Sequence, residues 1–247
     1  MDLRLAGRRA AVAASSAGLG LASARALAAE GARVAICGRD PHKLADAVAA
    51  LPDAIALQAD VSTVAGALAF VEEATAELGG LDILVPNAGG PPAGNFESTP
   101  LEAYLPALEL NLLSTVAMCK AAVPAMCEQG WGRVVAITSV SVRQPIAGII
   151  LSNTARAGVT GFLKTLATEV AAAGVTVNSV QPGIHATDRM TQLYGENIAA
   201  AAAQVPTRSV GRPEDFGAVV AFLCSDAARF VTGAAIPVDG GAYQGLQ

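Results

Sequence analysis

Arg9-Ala10-Ala11-Val12-Ala13-Ala14-Ser15-Ser16-Ala17-Gly18-Leu19-Gly20 is the stretch on which the fold turns. The apolar run at 9–14 reads as a strand. Over 19–30, Ala and Leu recur at i, i+3 and i+4, the spacing of one helix face. The glycine-bearing turn between them lets backbone N–H groups and a helix dipole meet a pyrophosphate. A plain tight turn accounts for two glycines equally well, so the rest of the chain has to decide.

Downstream the same alternation repeats. Short apolar runs at 32–37, 54–58, 83–85, 133–138, 175–180 and 234–238 read as strands. Helical segments lie between them. Asp40-Pro41 opens one, with Asp at the N-cap and Pro at the first position, where the missing N–H costs nothing. Residues 64–78 form the next, and Thr99-Pro100-Leu101-Glu102 has capping-box spacing at the head of a long helix towards Met126. Residues 154–173 and 216–225 complete the set. Strict β-α-β alternation predicts a single-domain, Rossmann-type, doubly wound α/β fold over 1–247. Its seven parallel strands have helices on both faces.

Composition narrows the function. Of 247 residues, 53% are hydrophobic and 15% charged, as suits a sheet covered on both faces. The net charge is -5 and there is no Lys/Arg block, which predicts no nucleic-acid partner. No stretch reads as about 18 charge-free apolar residues with spanning flanks, so no membrane partner is expected. Met1 to Arg9 lack the apolar core of a signal peptide, which predicts a cytoplasmic protein. Cys37, Cys119, Cys127 and Cys224 are scattered, and with two His they predict buried, reduced thiols and no metal site.

A series of landmarks then falls in a fixed order: Gly18 and Gly20 in the first turn, Asp60-Val61, Asn87-Ala88-Gly89, Asn111, Ser139 and Pro182-Gly183. Gly211-Arg212-Pro213-Glu214-Asp215 and Val238-Asp239-Gly240-Gly241 follow. In this order they resemble the short-chain dehydrogenase/reductase family, and the C-terminal pair is similar to 3-oxoacyl-acyl-carrier-protein reductases. The resemblance implies an oxidoreductase acting by hydride transfer on a small carbonyl or alcohol. It places Ser15, Ser16, Gly18, Leu19 and Gly20 at the phosphates and Asp60 and Val61 at the adenine. Asn87, Ala88, Gly89, Pro182, Gly183 and Thr187 fall at the nicotinamide end. Ser139 matches the catalytic Ser, and Asn111 the Asn that holds a catalytic water. Two positions depart from the pattern: Ala14 stands for the first glycine of the turn, and Pro86 for the first Asn of the second motif.

The second strand ends Ile36-Cys37-Gly38-Arg39. An NAD site wants a carboxylate there for the ribose hydroxyl, whereas a 2′-phosphate wants a guanidinium. No acid occupies 35–38 and Asp40 is taken as an N-cap, so Arg39 predicts NADP over NAD.

The family's general acid is a Tyr thirteen residues after the Ser, followed four later by a Lys. Here those positions hold Ser152 and Arg156, and none of the three Tyr has a Lys four residues on. Serine is a far weaker and shorter acid than a phenol, while Arg156 keeps the positive charge and can grip ribose hydroxyls. Three readings follow. The chain is an active reductase in which Ser139 and Ser141 polarise the carbonyl, and Ser152 through water or His185 gives the proton. Alternatively it binds a nucleotide or ligand without chemistry, or it is a non-catalytic subunit of a mixed oligomer.

The loop Gly89-Gly90-Pro91-Pro92-Ala93-Gly94 reads as a lid or as plain turn chemistry. Residues 146–151 and 190–203 are apolar, and the second reads as a mobile helix covering an apolar substrate. Long helices at 108–126 and 159–170 are apolar on more faces than one sheet contact needs, which predicts a homotetramer.

Overall fold

The computed structural model describes residues 2–51 and 53–246; Met1, Pro52 and Gln247 of the expected domain lie outside the described residues. Seven strands form one parallel sheet: β1 (Arg9–Val12), β2 (Arg33–Gly38), β3 (Ile55–Gln58), β4 (Ile83–Val85), β5 (Gly132–Ile137), β6 (Val175–Pro182) and β7 (Ala235–Val238). Their order is β3-β2-β1-β4-β5-β6-β7. The chain therefore winds outward one way from β1 and the other way from β4. Between those strands the C-terminal edge opens, the place where such sheets bind ligands.

Strand side chains alternate between two cores. On one face Ala11, Ala35, Leu84 and Val134 join Phe70 of α3 (Val64–Leu78), Met118 of α5 (Ser114–Glu128) and Val159 of α6 (Ile150–Val170). On the other, Val12, Ile36, Val85 and Val135 meet Leu27 of α1 (Gly18–Ala29), Leu44 of α2 (Pro41–Ala49) and Phe216 of α9 (Pro213–Cys224). Helix α9 lies against α1 because Gly217 has no side chain; a Cβ there would sit 2.4 Å from the Ala22 carbonyl oxygen. Gly217→Ala is expected to cost about 1–3 kcal/mol, as an overpacked helix contact does. Urea unfolding should show it as a lower midpoint at unchanged slope.

The far, N-terminal end of the sheet carries structural charge. Arg9 donates through Nε and Nη2 to the two Asp82 oxygens, each at 2.8 Å. Burial works against the Asp82 carboxylate, yet the Arg9 contacts outweigh it and hold the pKa below the usual range. Arg8 and Arg133 stack on Trp131 at 3.7 and 4.2 Å.

Several expectations need correction. The capping box at Thr99 does not form. The helix enters through a 3-10 turn at Leu101–Ala103 behind an N-cap without a side-chain bond, then runs through α4 (Tyr104–Leu108) and a π turn at Glu109–Leu113 into α5. This Leu101–Glu128 run is long and apolar enough to cross a membrane by length and composition, but it is interrupted by Glu109 and Lys120 and half of its most apolar window is buried. α5 packs on α3 and on the sheet. Helix α6 starts at Ile150 rather than residue 154, and α9 at Pro213 rather than residue 216. The 190–203 segment is not one helix. It comprises α7 (Asp188–Tyr194), a 3-10 turn at Gly195–Asn197 and α8 (Ile198–Ala203), broken where Gly195 takes φ +52. Cys37, Cys119 and Cys224 are buried, with thiol pKa values pushed up to about 12 by burial, whereas Cys127 is partly exposed.

Candidate active site

At the strand C-termini lies a cleft of about 900 Å³. Its floor is the turn after β1. There Ala14 adopts φ +44, the left-handed backbone that its methyl group disfavours by about 1–2 kcal/mol. The turn thus keeps its shape although a glycine is absent. Neighbours hold it there: the Ala14 N–H meets Cys37 Sγ at 3.2 Å, the Ser15 N–H donates to the Cys37 carbonyl at 2.8 Å, and Asn87 Nδ2 donates to the Ala13 and Ala14 carbonyls. Gly20 completes the close packing, since a Cβ there would lie 2.7 Å from the Ala14 carbonyl oxygen and 2.8 Å from Asn87 Nδ2.

Helix α1 begins here without a side-chain cap at Ala17 and with no acid in its first turn. Its first N–H groups have no internal partner, and Ala17, Gly18, Leu19 and Gly20 border the cleft. An uncapped helix start beside a wide cleft fits a diphosphate. At the end of β2, Arg39 is exposed, and Asp40 accepts from the His42 and Lys43 N–H groups as the N-cap of α2. Burial disfavours the Asp60 carboxylate, but Ser62 and the nearby Arg39 charge outweigh that and keep its pKa low.

Of the expected residues, all but Ser15, Asn111 and Ser141 line the cleft. Ser15 is fully buried, its hydroxyl donating to the Val12 carbonyl at 2.6 Å. Ser141 is buried with its Oγ unpartnered, and its N–H donates to Ser139 Oγ at 3.1 Å. Its amide thus contacts Ser139, while its hydroxyl lies outside the cleft lining. Asn111 lies beneath the cleft in the π turn. Its Nδ2 donates to the Gly89 carbonyl at 2.9 Å, and its buried Oδ1 has no partner.

Ser152 and Arg156 share the cleft-facing side of α6, four residues apart. Arg156 Nη1 donates to the Ile137 and Thr138 carbonyls at 3.2 and 3.3 Å, which ties α6 to the end of β5 beside Ser139. Burial, then the charge of Arg189, push this guanidinium down to about 10, so it remains a cation at neutral pH.

His185 is not in a mobile, solvated loop. Its ring is 3% exposed, stands edge-on to Phe216 at 5.3 Å, and is so close to Gly211 that a Cβ there would lie 2.7 Å from it. Burial lowers its pKa below the ordinary value, and the Gly183 carbonyl only partly offsets this. With the unfolded value near 6.5, this neutral ring stabilises the fold fully above about pH 6.5. That contribution falls as pH drops further, because the unfolded chain takes up the proton first. Urea midpoints from about pH 7.5 down to about 5.5 should therefore fall more steeply for the natural chain than for His185→Asn; parallel slopes would contradict the assignment.

The sequence reading missed Arg189. Its Nη2 donates to the Pro91 carbonyl at 2.9 Å, and a Cβ on Gly90 would lie within 2.7–2.8 Å of Nη2, Cζ and Nε. Gly90 is thus the space in which this guanidinium lies. A lone Arg at the head of an apolar segment was the available signal. The loop before α6 is fixed rather than free: the Gly94 N–H donates to the Gly148 carbonyl, and Asn153 brackets Ile146.

A family described as enoyl-(acyl carrier protein) reductase matches residues 13–243. The 3-oxoacyl-[acyl-carrier-protein] reductase of Escherichia coli is 36% identical over 240 residues, covering 96% of this chain and 98% of that protein. Human dehydrogenase/reductase SDR family member 4 is 34% identical over 244 residues, with 96% and 88% covered. Among solved structures, the L-sorbose reductase of Gluconobacter frateurii complexed with NADPH and L-sorbose matches with a TM-score of 0.91. Its sequence identity is 31%, over all of both chains.

Proposed function

The chain belongs to the short-chain dehydrogenase/reductase family, and from that premise we propose that it is an NADP-dependent ketoreductase working with an altered proton-transfer pair. One observation carries the reading. The uncapped start of α1 opens on the same cleft that holds Ser139, Ser152 and Arg156.

In this reading the α1 amides and Gly18 hold the diphosphate, Asp60 and Val61 flank the adenine, and Arg39 meets the 2′-phosphate. Ser16, Leu19 and Gly20 complete the cradle, and Arg156 grips the inner ribose. Asn87, Ala88, Gly89, Pro182, Gly183 and Thr187 flank the nicotinamide. When bound, the reduced cofactor supplies a hydride to the carbonyl carbon. The Ser139 hydroxyl donates to the carbonyl oxygen, and because its Oγ already accepts from the Ser141 N–H, it is a polarised donor. The proton reaches that oxygen from Ser152 Oγ through water. The unpartnered, buried Oδ1 of Asn111 supports a water position nearby. A buried, neutral His185 is a poor proton source, so it is left out of the relay.

The test is calorimetric titration with NADPH and NADH, then NADPH oxidation with 3-oxoacyl esters, diketones and quinones. NADPH binding with turnover of a ketone supports the proposal. Binding without turnover leaves a nucleotide binder or a non-catalytic subunit, and no binding by the folded protein removes both nucleotide readings. Arg39→Ser is expected to weaken NADPH about tenfold and NADH hardly at all, the loss of one charge-assisted phosphate contact.

The same proposal takes residues 1–247 as one cytoplasmic domain assembled as a homotetramer. Phe96, Leu101 and Leu105, exposed by 86%, 81% and 69%, support association through the α4 side. Light scattering should return four times the chain's 24.7 kDa; a monomer refutes the assembly.

A further inference from the structure

We infer that the carbonyl substrate of this site carries its own carboxylate, so that the chain reduces short oxo acids rather than neutral ketones or esters. The inference rests on the reductase reading above.

Two guanidiniums carry it. Arg156 is bonded to the carbonyls at the end of β5, immediately beside Ser139. Arg189 reaches in from α7 and rests on Gly90 and the Pro91 carbonyl. Both side chains are partly buried and both line the cleft. Each donates only to backbone carbonyls. Among the described residues the ion pairs are Arg9–Asp82, Arg133–Asp226 and Arg212–Asp215, so neither Arg156 nor Arg189 is matched by a protein carboxylate.

Two partly buried cations on one cleft, bonded only to backbone carbonyls, favour an anionic occupant. The cofactor accounts for one cation, since Arg156 stands where the ribose is gripped. Arg189 is then left for the other reactant. A guanidinium fork suits a carboxylate in two-point contact. The cleft also carries apolar side chains, among them Ile149, Met190 and Leu193. A small apolar body with a ketone within a few bonds of its acid group satisfies both. The reaction balances as hydride addition to the ketone carbon and proton addition to its oxygen, giving a hydroxy acid and the oxidised nucleotide.

The experiment compares acetoacetate with methyl acetoacetate, and 4-methyl-2-oxopentanoate with its methyl ester. For the natural chain, kcat/KM is expected to favour the acid at least about tenfold. Arg189→Gln should reduce that acid-to-ester ratio by about tenfold or more, with the NADPH dissociation constant changed less than about twofold. Equal rates for acid and ester overturn the inference. A ratio unmoved in Arg189→Gln, with NADPH affinity reduced instead, also overturns it by assigning Arg189 to the cofactor. If no carbonyl compound turns over, the reductase reading fails on its own, and calorimetry of the same acids and esters with NADP-loaded protein decides the inference. Tighter binding of the acid by about tenfold supports it, and equal binding refutes it.

Discussion

Ser139→Ala is expected to lower kcat for ketone reduction by about 10²–10³-fold, the usual effect of removing one preorganised donor to a developing oxyanion. The hydroxyl accepts from the Ser141 N–H at 3.1 Å, so its own proton is free to point at the substrate oxygen. An alanine supplies no donor. It also leaves the Ser141 amide without its partner, a local loss of about 1 kcal/mol that thermal unfolding measures separately. NADPH affinity should change less than about twofold, because the contact forms with substrate rather than cofactor. A variant that keeps more than a third of the natural kcat would remove Ser139 from the chemistry.

The double variant Ser152→Tyr with Arg156→Lys should raise kcat, by about 10²-fold or more, the span credited to a well-placed general acid. A phenol ionises near pH 10 and is tuned downward by an adjacent cation, whereas a serine hydroxyl has no comparable acidity. Ser152 borders the cleft, so the larger ring has open space ahead of it. Ser152→Tyr alone should gain less, since the branched guanidinium is already engaged with two β5 carbonyls. Stopped-flow single turnovers with NADPH read this step apart from product release. No gain in a folded, NADPH-binding double variant would mean that proton transfer does not limit this chain.

The sheet was legible because its signals are local. Strands of Ala, Val and Ile alternate with 3.6-period segments, and Asp40-Pro41 marks a helix start that the Asp40 bonds to His42 and Lys43 bear out. The site was legible as an ordered series of small motifs. What could not be read depends on contacts distant in sequence. Nothing local tells that the His185 ring is sealed by Phe216 and Gly211, or that Arg189 crosses to Pro91. Ala14 is a similar case. Its methyl group argues against a left-handed backbone, but Cys37 and Asn87 hold that conformation from outside the turn. Helix α6 starts behind Ile149 without a side-chain cap, so no local signal marks its first turn, and the expected start at residue 154 falls too late.

The wide turn at Glu109–Leu113 carries one residue more than an ordinary helical turn. Each residue advances a helix by about 100°, so the two halves of this rod present their apolar stripes in different directions. The leading half meets α6, and the trailing half meets α3. Excising one residue there would give back an unbroken ladder, yet swing the Asn111 carboxamide away from the Gly89 carbonyl. A shortened helix of this kind is a route to a sturdier protein with a blind spot under its active cleft.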